Sequence, residues 1–357
     1  MGQPKPINLE SDTQSLPCDA MKQYMITAEL GDEQQDGDPT TIALCARVAK
    51  LLGKEAGVFL PSGTMCNQIA VNVHCRPGDE VICDRTCHIV NFEAGGPAAN
   101  SGVMIRTVNG ERGIFTAVQA RNAIRPPSRH FPESRLICVE QTSNLGGGSI
   151  WPISTLQEVA AVAKQAGMAT HMDGARLFNA VAASGVSAAR YAELFDSVWI
   201  DLSKGLGCPV GAVLCGSTDF IQQSWRLKQR YGGAMRQSGI IAAAGIYALD
   251  HNINRLTKDH ENARLLAKLL SAVPGIDINP KVVETNLVYF NVRDENGLPA
   301  AAEFVKKLRT MGVKGMAMDN STVRLVTYLN VNTDDIRAAV LAIKEAVSSV
   351  DGKGVDA

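Results

Sequence analysis

From about residue 40 the apolar positions of this chain alternate between two periods. Residues 40–52 place them at helical spacing, which predicts an amphipathic helix. GVFLPSG (57–63) is a short apolar run that ends in a turn, and TMCNQIAVNVHC (64–75) returns to helical spacing. Further runs are short, rich in β-branched residues and apolar on both faces: EVICD (80–84), VMIRTV (103–108), RLICVEQ (135–141), MATHMD (168–173), SVWIDLS (197–203) and GAVLCG (211–216). Helical stretches such as STLQEVAAVAKQAG (154–167) lie between several of them. Strands that are apolar on both faces must be covered on both. The alternation therefore predicts an α/β domain built on a mostly parallel sheet of these seven strands, flanked by helices.

After about residue 240 the pattern changes. A long helical stretch (240–272) leads to a strand at 286–292, a helix at 301–312, a strand at 322–329 and a closing helix at 333–350, with Thr333 as its N-cap. This is a small α+β C-terminal domain. The predicted division is 1–245 for an N-terminal segment with the large domain and 246–357 for the small one; 357 residues exceed the usual single domain.

Composition narrows the function classes. With 35 basic and 36 acidic residues and no polybasic run, nothing favours nucleic acid or an anionic membrane surface. There is no apolar run of transmembrane length, and the first residues lack the apolar core of a secretory signal. Nine cysteines, an odd number scattered through apparent core segments, suit free thiols in a reducing cytoplasm. Cys83, Cys87 and His88 lie close together but lack a second ligand pair, so no metal is predicted.

Ligands of a doubly wound sheet bind beyond the carboxyl ends of its strands. Four groups of residues fall there. Ser62, Gly63 and Thr64 turn from a strand into a helix, where backbone N–H groups and the helix dipole favour a phosphate and Gly63 permits close approach. A plain strand-to-helix turn would look the same. Asp173 ends an apolar strand, where a carboxylate needs a cationic partner. That partner is either Arg176, in an ordinary ion pair, or a protonated ligand nitrogen, for which Gly174 leaves room. Lys204 follows another strand and precedes a glycine-rich turn; it is a loop lysine or a buried amine with a lowered pKa. His88 follows EVICD and is structural, or stacks on a ligand and moves protons. A phosphate cradle, an imidazole, a strand-end aspartate and then a strand-end lysine give the order of a fold-type-I pyridoxal 5'-phosphate (PLP) enzyme.

From SDT (11–13) to about residue 350 the chain resembles the low-specificity L-threonine aldolases. The matching segments include GDPT (37–40), GKEAGVFLPSGTMCNQ (53–68), EAGG (93–96), HMDGARLFNA (171–180), LSKGLGCPVGAVL (202–214), MRQSGI (235–240) and VRLVTYL (323–329). The resemblance implies a PLP-dependent carbon–carbon lyase of fold type I. It would cleave L-threonine, L-allo-threonine or a related β-hydroxy-α-amino acid such as L-phenylserine to glycine and an aldehyde, through a Schiff base on Lys204 and a quinonoid intermediate. It further implies that Asp173 pairs with the pyridine nitrogen and His88 stacks on the ring. Ser62, Gly63 and Thr64 would hold the phosphate, with Arg236 reaching the phosphate of a neighbouring subunit. Ser11, Arg176 and Arg324 would bind the substrate carboxylate, Arg176 also lying against the cofactor, and His130 would sit near the substrate hydroxyl. A homodimer or homotetramer with active sites at the subunit interface is implied.

The chain departs from the family pattern where the substrate side chain should lie. Gln35 replaces a tyrosine, Ser143 a histidine, and Val90 and Phe92 occupy two aromatic positions after His88. These changes spare the cofactor residues and leave the substrate open. The alternative readings are another PLP-dependent lyase, performing β-elimination with the same lysine and aspartate, and a cofactor-binding protein without activity.

Overall fold

Each of the seven strand-like runs is a strand of one sheet in the computed structural model, which describes residues 6–294 and 296–350. They are β1 (Ala56–Leu60), β2 (Glu80–Asp84), β3 (Met104–Val108), β4 (Ser134–Glu140), β5 (Ala169–Gly174), β6 (Ser197–Asp201) and β7 (Ala212–Gly216). Their order across the sheet is β1-β7-β6-β5-β4-β2-β3. The β1–β7 and β7–β6 pairs are antiparallel and the other four are parallel. Every residue of β2, β6 and β7 is buried, as strands covered on both faces must be.

Two antiparallel steps restore the original direction, so β1 runs with β6, and with β2, β4 and β5. The carboxyl ends of these five strands lie along one edge. The turn at 61–64, the His88 segment, Glu140, Asp173 and Lys204 all leave the sheet there.

By its contacts the chain forms two units, one spanning Pro17–Ile253 and the other joining Asn254 onward to the segment ending at Leu16. The sequence-based boundary at 245 falls inside the helix Gly239–His251. The predicted helix over 240–272 is two helices, Gly239–His251 and Leu256–Leu270, separated near Asn252, whose side chain donates to the Leu206 carbonyl at 2.7 Å.

The second unit has a four-stranded antiparallel sheet in the order Met316–Ala317, Thr322–Val326, Leu287–Val292, Ile276–Asp277. Near the start of the chain, Ile7–Asn8 pairs in parallel with Val313–Lys314. Leu9 lies in the same apolar core as Leu266, Phe290, Phe304 and Ile343. The last helix, Thr333–Val350, is capped not by Thr333 but by Asn332, whose Oδ1 accepts from the N–H groups of Asp334 and Asp335 at 2.8 and 2.9 Å. The Thr333 hydroxyl donates instead to Asn262 Oδ1. Among the described residues no helix is long and apolar enough to cross a membrane.

Candidate active site

Asp173 lies near the carboxyl end of β5 and is 5% exposed. Its Oδ2 accepts from Asn67 Nδ2 at 2.8 Å and its Oδ1 from the Ala175 N–H at 3.1 Å. Burial drives the Asp173 pKa up. The positive charges of His88 and Lys204 and the Asn67 hydrogen bond oppose this, and the net shift is upward. On the adjacent strand Glu140 pairs in register with Asp173. Burial, and then the Asp173 charge, push Glu140 to about 7, although it accepts from the N–H groups of Asn144 and His88.

Lys204 follows β6. Its Nζ lies 2.8 Å from Asp201 Oδ2 and 5.7 Å from the centre of the Trp199 ring. Its side chain is 16% exposed, which fits a buried amine better than a surface loop lysine.

His88 opens the short helix after β2, and its Nδ1 sits 2.8 Å from Glu93 Oε1. Burial lowers the His88 pKa. The Glu93 hydrogen bond and the charges of Asp173, Glu93 and Glu140 more than offset this, so the pKa rises above its ordinary value. Phe92 lies against the ring at 5.5 Å between centroids.

Ser62 caps the helix Gly63–His74, its Oγ accepting from the Met65 N–H at 3.2 Å. The first N–H groups of a helix have no partner within it. Those of Gly63 and Thr64 therefore form the anion-seeking end. The need for glycine here has a different cause from the one the sequence suggests. A Cβ on Gly63 would lie 2.1 Å from Trp199 Cη2, so the missing side chain admits the indole. Likewise a Cβ on Gly174 would lie 2.1 Å from the Trp199 carbonyl, so Gly174 makes room for β6 rather than for a ligand.

Two side chains that the sequence reading passed over organise this edge. Asn67 donates from Nδ2 to Asp173 and, at 2.7 Å, to Glu93 Oε1. Glu93 also accepts from Gln68 Nε2. The signal was the adjacent polar pair Asn67-Gln68 set between the apolar residues Met65-Cys66 and Ile69-Ala70-Val71 of one helix; both are buried. Donor atoms of His88, Glu93 and Asp173 lie within 4.8 Å of one another, but N–H groups of His88 and Asn67 already face the two carboxylates. The Cys83 hydrogen bond and burial hold the Cys87 thiol protonated, a poor state for a metal ligand.

The remaining predicted residues are placed as follows. Arg176 is buried and precedes the helix Leu177–Ser184, its N–H donating to the Gln141 carbonyl at 3.1 Å. Arg236 is exposed and pairs with Asp32 at 2.9 Å. His130 is exposed, its backbone N–H bonded to Ser128 Oγ, and is not brought to the Asp173 cluster. In the other unit Ser11 and Arg324 are both buried, and Arg324 Nη2 donates to the carbonyl of Glu10, next to Ser11, at 3.2 Å. Gln35 is exposed at the end of a 3-10 turn. Ser143 is buried, its Oγ accepting from the Gly146 N–H.

The model of the β-eliminating lyase family matches residues 8–293. Low-specificity L-threonine aldolase 1 of Arabidopsis thaliana is 39% identical over 345 residues, covering 96% of both chains. The low specificity L-threonine aldolase of Escherichia coli K12 is 38% identical over 331 residues, covering 92% of this chain and 96% of that one. Among solved structures, Leishmania major threonine aldolase superposes with a TM-score of 0.82 at 20% identity, covering 96% of this chain and all of that one, which speaks for the fold. A match of this extent, over a strand-edge site with these residues, places the chain in the β-eliminating lyase family, among the threonine aldolases.

Proposed function

We propose that the protein is a PLP-dependent aldolase that cleaves L-threonine, L-allo-threonine or a related β-hydroxy-α-amino acid to glycine and an aldehyde. The observation that carries this reading is the buried Asp173 carboxylate, converging with Lys204 and His88 on one sheet edge in a chain that matches threonine aldolases almost end to end. The donor set suits PLP: a helix start for the phosphate, a buried carboxylate for the protonated ring nitrogen, an amine for the carbonyl and an imidazole for the ring face. When bound, PLP supplies an electron sink for the charge left at Cα as the Cα–Cβ bond breaks.

The protein's own groups do the rest. Lys204 provides the amine that attaches the cofactor, and Asp201 Oδ2, at 2.8 Å, holds an Nζ proton. Asp173 binds the ring N–H. Ser62, Gly63 and Thr64 bind the phosphate, joined by Arg236 from a neighbouring copy. Binding the substrate carboxylate is the role that the family resemblance gives Ser11, Arg176 and Arg324, and a guanidinium fork is suited to it. A fixed carboxylate decides which Cα bond stands ready to break. With Nδ1 facing Glu93, His88 offers Nε2 to take or give a proton. The role at the substrate hydroxyl that the family resemblance gives His130 has no support from its place here, in an exposed segment before β4.

A homodimer or homotetramer belongs to this reading, supported by the exposed Arg236. So does a cytoplasmic location, supported by nine free thiols.

The test is aldehyde release from L-threonine, L-allo-threonine and L-phenylserine, with and without PLP, by the protein and by Lys204→Ala. PLP-dependent aldehyde that disappears in the variant supports the reading. Ammonia and a keto acid in place of aldehyde would instead mark β-elimination, which the same lysine and aspartate could serve.

A further inference from the structure

Behind Asp173 lies a chain of buried polar side chains that the catalytic reading does not use. His74 Nε2 is 2.7 Å from Ser197 Oγ, and Ser197 Oγ is 2.8 Å from His171 Nδ1. His171 Nε2 is 3.1 Å from Asn67 Oδ1, and Asn67 Nδ2 reaches Asp173 and Glu93. Ser197, His171 and Asn67 are at most 1% exposed.

The chemistry of these groups fixes the direction of every bond. An indole N–H can only donate, so the Trp199 Nε1 contact at 2.7 Å identifies the Asn67 atom facing it as the carbonyl oxygen. The amide N–H groups then point at the two carboxylates. Since Asn67 Oδ1 only accepts, His171 must carry its proton on Nε2. Burial lowers His171 to about 3 and His74 to about 4, so both rings are neutral and each has one N–H. His171 Nδ1 therefore accepts the Ser197 hydroxyl proton, and Ser197 accepts from His74 Nε2–H. All the donors run one way, from His74 through Ser197, His171 and Asn67 to Asp173. Hydrogen bonds in series polarise one another, so each link strengthens the one that touches the carboxylate.

Asp173 needs this help. Glu93 and Glu140 put further carboxylates beside it, and the thiols of Cys66 on the adjoining helix and Cys138 on β4 are also near. The opposing charges are His88 and Lys204. Burial, and then the Glu93 carboxylate, press Asp173 toward its neutral form, which could not bind a protonated ring nitrogen.

We propose that His74, Ser197, His171 and Asn67 are positioning residues, a one-way hydrogen-bond chain that keeps Asp173 ionised and oriented for the cofactor. The inference rests on Asp173 binding PLP as described above. Its sign follows from linkage. The folded pKa of Asp173 already lies above its ordinary value, so its charge is lost as pH falls through that pKa. Breaking the chain raises the pKa further, and the charge is then lost at a higher pH.

The experiment is the dissociation constant of PLP across the acid-to-neutral range, read from bound-cofactor absorbance. It compares the wild-type holoenzyme with Ser197→Ala, which deletes one oxygen, and His171→Phe, which keeps a ring but removes both nitrogens. In both variants the acid limb of affinity moves to higher pH, with affinity about tenfold weaker at the acid end and much less changed at the neutral end. Equal weakening at every pH, as loosened packing would give, or an unmoved limb overturns the proposal while leaving the PLP site standing. A wild type that binds no PLP overturns the aldolase reading and this proposal with it. If His171→Phe fails to fold, Ser197→Ala alone decides.

Discussion

His88 Nδ1 faces Glu93 Oε1 at 2.8 Å, and an ionised carboxylate only accepts, so the imidazole proton sits on Nδ1. Nε2 is left as the working atom. Glu93 also raises the His88 pKa, against the effect of burial. Glu93→Gln removes a negative charge but keeps an acceptor. The His88 pKa then falls, and neutral imidazole persists to lower pH. If neutral His88 is the active form, the acid limb of kcat for threonine cleavage moves to lower pH in Glu93→Gln. A limb that stays put means another group controls it. His88→Asn should lower kcat by roughly a hundredfold or more, the usual weight of a general acid or base.

Gly63 and Trp199 form a steric pair. Adding a methyl at 63 drives it into the indole at 2.1 Å, and overpacking of this kind costs about 1–3 kcal/mol. The carbons it meets, Cη2, Cζ3 and Cζ2, belong to the part of tryptophan that phenylalanine lacks. Gly63→Ala should lower Tm, and Trp199→Phe should lower it too, by leaving a cavity and depriving Asn67 Oδ1 of its indole donor. The double variant should be more stable than the two losses added together. Simple additivity in thermal denaturation would show that the contact does not explain the glycine.

Much of this was legible in the chain. The seven strands could be read because each is short and bounded by turn residues and most are apolar on both faces. The exception is the edge strand Met104–Val108, which carries Arg106 and Thr107 and is partly exposed. Asp173 and Lys204 stood out as charges at the ends of apolar runs. The chain's first strand pairing with Val313–Lys314 was not legible, because two-residue strands have no periodicity to read. Nor was the Asn252 break in the 240–272 helix, which depends on the distant Leu206 carbonyl. Asn332 was passed over as a cap because Thr333 has an equally suitable side chain; the structure directs that hydroxyl to Asn262. Asn67 and Glu93 act through partners far along the chain. Residue 67 meets residue 173 only because β1 and β5 end on the same edge, and no local pattern encodes that.

Glu33 and Lys228 form a buried ion pair at 2.8 Å, and Glu33 also accepts from the Met235 N–H and the Ser238 hydroxyl. The pair ties the turn containing Gln35 to the segment containing Arg236. Lys228→Met leaves the Glu33 charge buried without its cation, which should cost about 3–5 kcal/mol. Adding Glu33→Gln removes that charge and should restore part of the loss. Chemical denaturation of the two variants measures this; a double variant no better than Lys228→Met would show that the buried charge is not the cause.

The resemblance to the threonine aldolases implies a tyrosine at the position of Gln35, and the Gln35 side chain is exposed. Exchanging a large ring for a flexible amide leaves space for a bulkier β-substituent. Gln35→Tyr should therefore shift kcat/KM from L-phenylserine toward L-threonine. The ratio of the two, measured on the same preparation, decides. An unchanged ratio would mean that this position does not set the pocket.

Arg236 is exposed and pairs with Asp32, and its predicted role is to reach the phosphate of a neighbouring copy. Complementation between inactive chains tests this directly. Lys204→Ala and Arg236→Ala should each lose most activity, the first by roughly a thousandfold, about 4 kcal/mol in the barrier. In a two-fold dimer each site would combine Lys204 of one chain with Arg236 of the other. A mixed dimer of the two variants then has one site with both residues intact and one with neither. Random mixing makes half the dimers mixed, so co-expression should recover about a quarter of the wild-type rate in a symmetric dimer. If Arg236 served its own chain, every site in the mixed dimer would lack one residue or the other. The mixture would then show only the average of the two variants, and the interface role of Arg236 would have to be given up.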